Sequence, residues 1–77
     1  MCTLSELAVG GSMMIDNVCV DEPLNERMKV FGFLPETVID KLYVGMRGSP
    51  IAVRVCGAVV ALRRNDADNI FGESIMR

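Results

Sequence analysis

The clearest pattern along the chain lies between residues 50 and 63. In PIAVRV, Ile51, Val53 and Val55 fall on one face and Ala52, Arg54 and Cys56 on the other. AVVALR returns with Ala58, Val60 and Leu62 on one face and Val59, Ala61 and Arg63 on the other. Alternation with period two is the mark of half-buried strands. The Cys56-Gly57 pair between the runs predicts a tight hairpin turn in which Gly supplies positive φ. Pro50 suits a strand start.

Other segments carry less regular signals. MMIDNVCVD (13–21) reads as a strand, but Ile15 and Val18 are three apart, so a bulge is needed to bring both to the core. TVIDKLYV (37–44) is rich in strand formers. GMRGS (45–49) is a loop, and IFGESIMR (70–77) gives a last strand. Only DEPLNERMKVFGF predicts a true helix, with Leu24, Met28 and Phe31 forming one apolar face. Asp21 is its expected N-cap, Pro23 fits the first turn, and Gly32 ends it before Pro35. In TLSEL, Thr3 and Glu6 have the capping-box spacing, which predicts a helical turn over residues 4–7. RNDADN makes one short turn capped by Asn65 or Asp66.

The order is therefore strand, helix, three-strand meander, turn and final strand. This predicts a mainly β fold, a small SH3-like β-barrel with one short helix inserted after the first core strand. A single domain covers residues 1–77. Closure into a barrel is expected to remove exposed strand edges.

Composition adds limits. A chain of 77 residues buries only about 60% of its unfolded surface. Stability is then marginal and is helped by a partner or by self-association, so a homo-oligomer stays open. The 51% hydrophobic content is enough for a core. Only Phe31, Phe33, Tyr43 and Phe71 are aromatic, so aliphatic residues and six Met must fill it. A net charge of −2 argues against nucleic acid as a partner. The N-terminus has no basic leader pattern, and the longest apolar stretch, residues 51–62, is too short to cross a bilayer. A cytoplasmic protein with reduced thiols is expected, since three Cys make no disulfide framework.

Candidate chemistry is sparse. Without His, neither a His-activated nucleophile nor an imidazole metal site can be built. No phosphate-cradling glycine motif is present. Asp66 and Asp68 read as turn residues. Cys19 and Cys56 are the remote candidates for a soft metal, but no Cys lies within four residues of another, and buried or half-buried structural thiols are the simpler reading. No cofactor is implied. The pair Arg63-Arg64 is more suggestive, because Arg54 across the hairpin would complete a small basic cluster. Met46 and Arg47 in the 45–49 loop, with Tyr43 before it, offer apolar and charged contact surface.

The segments TLSEL, ERMKVFGFLPETVI and GSPIAVRVCGAVVALRRNDADNI, in that order, resemble the ferrous iron transport protein A (FeoA) family. The match runs from Thr3 to about Ile70. The resemblance implies an SH3-like barrel acting as a cytoplasmic accessory of ferrous iron uptake. Its implied partner is the membrane ferrous iron permease FeoB, whose cytoplasmic part holds a GTP-binding domain. The family has no agreed catalytic residues, so no enzyme is implied. On this reading Arg54, Arg63, Arg64, Tyr43, Met46 and Arg47 are the candidate partner-binding residues. Two alternatives remain: a regulatory or peptide-binding domain like the C-terminal one of iron-dependent repressors, and a direct iron-binding protein. The chain departs from the family pattern at Glu36, where Gly is favoured after Pro, and at Cys56, where a charged residue is common. Glu36 predicts a type I turn in place of the family's type II.

Overall fold

The computed structural model describes residues 1–76. Its strands are β1 (Cys2–Thr3), β2 (Ser12–Val18), β3 (Val38–Val44), β4 (Ile51–Val55), β5 (Ala58–Leu62) and β6 (Ile70–Ile75). Helix α1 (Leu24–Phe31) follows β2, and a one-turn helix α2 (Arg64–Ala67) follows β5. The predicted final strand thus stops at Ile75, and Arg77 lies outside the described residues. All pairings are antiparallel, in the order β1-β6-β2-β3-β4-β5.

The β4–β5 hairpin has the predicted register. Val55 opposes Ala58, Val53 opposes Val60 and Ile51 opposes Leu62. Cys56 and Gly57 both have positive φ, 48° and 81°, so the turn is of the primed kind that matches strand twist. The predicted bulge in β2 is also found. The register with β6 shifts between Ile15 and Asn17, and this leaves Ile15 buried and Val18 half-buried. The capping box at the start is formed, with the Thr3 N–H donating to Glu6 Oε1 at 2.8 Å and the Glu6 N–H to Thr3 Oγ1 at 3.3 Å.

Several expectations are corrected. Asp21 does not cap α1 with its side chain; Pro23 takes the N-cap position, and Asp21 contributes its carbonyl to the Asn25 N–H. With α1 beginning immediately after Pro23, it is the Asp21 carbonyl, and not its carboxylate, that meets one of the first orphan donors. Phe31 is 46% exposed, whereas Phe33 is 2% exposed. Gly32, at φ 104°, ends α1 in the left-handed region and turns the chain so that Phe33 enters the core. Asn65 and Asp66 cap nothing either, because Arg63 occupies the N-cap position of α2. Glu36 has φ 72°, so its turn keeps the left-handed backbone that a Glu was expected to avoid. Its N–H donates to the Ile15 carbonyl at 2.7 Å, and Ile15 N–H donates to Thr37 O at 2.8 Å, which holds the turn against β2.

The sheet coils around one core of Leu4, Met13, Ile15, Met28, Phe33, Ile39, Ile51, Val53, Val55 and Ile70. Each such side chain contributes about 1.5–3 kcal/mol on burial. Closure is partial. The chain leaves β5 through α2, and β6 then pairs with β1 and β2, so among the described residues β5 is bonded to β4 alone. The expected removal of strand edges is therefore incomplete.

Candidate docking surface

The adjacent residues Arg63 and Arg64 face different parts of the molecule. Arg63, with its side chain 84% exposed, has Nε 3.6 Å from the Asp66 carboxylate. It borders a groove of about 210 Å³ between α1 and β5, whose walls include Leu24, Arg27, Met28, Phe31 and Val60. Arg64 instead lies over Gly48, where a methyl group would meet its guanidinium at 2.8 Å. Gly48 ends the short 3-10 turn Met46–Gly48, inside which Arg47 adopts φ 66°. Met46 on that turn is 91% exposed, and Tyr43 near the end of β3 is 55% exposed. Tyr43, Met46, Arg47 and Arg64 thus belong to one end of the molecule, where exposed apolar and cationic groups adjoin.

Arg54 does not join them. It pairs in register with Asp40 on one side and Val59 on the other. Arg63 lies four positions beyond Val59, about 13 Å at the usual strand rise. Arg54 and Arg63 share a sheet face by parity, but they sit toward opposite ends of the hairpin, and the expected Arg54–Arg63–Arg64 cluster is not formed. Asp40 also accepts a 2.6 Å hydrogen bond from the Ser12 hydroxyl.

The thiols are dispersed. Cys19 is exposed and accepts a bond from the Asn17 amide at 3.0 Å. Cys56 is exposed on the hairpin turn beside Gly32. Among the described residues no three His, Cys, Asp or Glu side chains come together as a metal site. Nor is any helix of the described residues long and apolar enough to cross a membrane.

One residue was missed by pattern reading. Lys41 on β3 is 3% exposed. Its ammonium donates to the carbonyls of Leu4 at 3.1 Å, Ser5 at 3.0 Å and Leu7 at 2.6 Å. Its own backbone pairs with Gly10 and Gly11 at 2.8 and 2.9 Å. Lys41 therefore ties the whole opening segment to the sheet. Burial, and next the nearby Arg64 charge, lower its pKa from the ordinary 10.5. The signal was present in the sequence, because Ile39 and Lys41 share the inward parity of β3.

The FeoA domain model matches residues 2–74. This chain belongs to the FeoA domain family. Among solved structures, the FeoA-like fold is shared with iron(II) transport protein A of Clostridium thermocellum at 30% identity and a TM-score of 0.87, over 95% of this chain and 45% of that one. This chain thus spans under half the length of that relative. FeoA of Stenotrophomonas maltophilia, in complex with zinc, is 25% identical over 95% of this chain and 91% of its own, with a TM-score of 0.81. It is described as a prokaryotic SH3 domain protein and a candidate activating factor of ferrous iron transport. ScaR with bound Cd²⁺ shares the fold at 21% identity and a TM-score of 0.82, over 97% of this chain and 35% of that one. No curated protein matches. The expected SH3-like architecture is thereby confirmed, with the outer edges of β1 and β5 left open among the described residues.

Proposed function

We propose that this FeoA domain is a non-enzymatic cytoplasmic accessory of ferrous iron uptake that docks on the cytoplasmic GTP-binding part of the membrane permease. The observation that carries the reading is the end of the molecule formed by Tyr43, Met46, Arg47 and Arg64. It joins a 91% exposed Met to an exposed aromatic ring and two guanidinium groups. Exposed apolar anchors supply affinity and rim charge steers encounter. Family membership and the ferrous-transport descriptions of the neighbours support the iron-uptake context.

The test is a binding titration of the permease's cytoplasmic domain against the wild-type chain and the Met46→Asp and Arg47→Glu/Arg64→Glu variants. The wild type binds, and each variant loses about tenfold or more in affinity. Equal binding by all three would remove this surface from the reading, and no binding by the wild type at low salt would remove the complex.

A further inference from the structure

The second surface of interest is the free side of β5. A two-residue hairpin turn places its closing pair, Val55 and Ala58, in mutual hydrogen bonding, and bonded pairs then alternate along the ladder. Val60 and Leu62 therefore direct their backbone groups at β4. Val59 and Ala61 direct theirs away from it, along the open edge of the sheet. Such an edge is a template for another strand.

This edge adjoins the groove described above. Met28, 2% exposed, forms part of its floor, and Leu24, Phe31 and Val60 remain only partly covered. Phe31 at 46% and Val59 at 59% exposure leave apolar surface on both sides of the open backbone. The charged groups lining the groove are Arg27, Arg63 and Asp66. Asp66 is already engaged by Arg63. A second copy of this chain would bring both Arg pairs against one another. An acidic segment meets complementary charge instead. Past Asp66 the surface changes sign, since the adjoining depression is lined by Asp21 and Glu22. The acidic part of an occupant must end there.

We propose that β5 and the α1–β5 groove bind an extended acidic-apolar segment of a partner protein by strand addition. The segment pairs with the backbone of Val59 and Ala61, drops alternate apolar side chains into the groove, and sets carboxylates against Arg27 and Arg63. This surface is distinct from the Tyr43, Met46, Arg47 and Arg64 end, and the inference stands whether or not that end binds the permease.

The experiment is an NMR titration of the full chain with a capped synthetic peptide of alternating valine and glutamate. The expected result is saturable shifts at Val59, Ala61, Arg63 and Met28, slowed exchange of the Val59 and Ala61 amides, and binding that weakens with salt. Val59→Pro removes an outward-facing N–H while sparing the β4 ladder, so it abolishes binding with the Val60 amide still protected. If that variant fails to fold, Arg27→Glu/Arg63→Glu serves in its place. It weakens binding of the glutamate peptide by about tenfold or more and favours a lysine counterpart. The proposal is overturned by no saturable shift up to millimolar peptide, or by shifts centred on Tyr43 and Met46. Unchanged binding in the folded variants, or edge shifts that grow with protein concentration alone, would overturn it as well.

Discussion

Replacing Lys41 by Met tests the polar clamp at the centre of the fold. Met has nearly the length of the lysine stem and is apolar, so it fills the space and removes only the donors and the charge. Three carbonyls lose a partner, those of Leu4, Ser5 and Leu7. Hydrogen bonds to a charged group are each worth about 1.5–3 kcal/mol. Against this, the ammonium no longer has to be stripped of water, a relief of several kcal/mol. The Ser5 bond is only part-buried, so that carbonyl regains water, while the Leu4 and Leu7 bonds are buried. The expected net loss is about 2–4 kcal/mol, dominated by the two buried carbonyls left unpaired. Small domains have little to spare. Urea unfolding measures the loss, and amide exchange shows whether it is concentrated at Leu7, Gly10 and Gly11. The pH dependence provides a second readout. With its pKa lowered in the fold, Lys41 binds fewer protons in the native than in the unfolded state between that lowered value and 10.5. Its contribution to stability therefore rises with pH through that window, and the rise disappears in Lys41→Met. A loss below about 0.5 kcal/mol, the range of ordinary surface changes, with unaltered protection of the opening segment would refute the clamp.

Three further outcomes follow from the same geometry. Met28→Ala, at a fully buried site, costs about 2–5 kcal/mol by chemical denaturation, whereas Phe31→Ala at the half-open groove wall costs less than about 1 kcal/mol. Glu36→Gly relieves a side chain held at φ 72° and stabilises the domain by about 0.5–1 kcal/mol, part of the left-handed penalty being offset by unfolded-state entropy. Gly32→Ala both forces a left-handed Ala and drives its Cβ against Cys56 Sγ, so a loss of about 2 kcal/mol is expected from thermal melts.

Much of the fold was legible in local pattern. Alternation from Ile51 to Leu62 located the hairpin and its inward face, and the three-residue spacing of Ile15 and Val18 announced the bulge. The candidate surface was harder to read, because parity reports which face a residue takes and not how far along it lies. Arg54 and Arg63 share a face yet are separated by four strand positions. Arg63 and Arg64 are neighbours in sequence, but α2 begins between them, and they turn to different surfaces. Lys41 was hidden by the habit of reading charge as exposure. Its inward position makes sense only once the opening turn supplies three carbonyls from more than thirty residues upstream. Glu36 shows the reverse, since contacts with Ile15 impose a backbone that the residue's own preference disfavours.

The pairing of β1 with β6 sets Cys2 opposite Gly72. The first and last strands of the domain thus meet only after nearly all of the domain has been made, and such remote pairing slows folding relative to a helical domain of this size. The same adjacency brings the two ends of the sheet's chain path within reach of a short covalent join. A circular permutant reopened at Gly48 would preserve every strand pairing while cutting the Met46–Gly48 turn, separating the architecture of the domain from the surface assigned to docking.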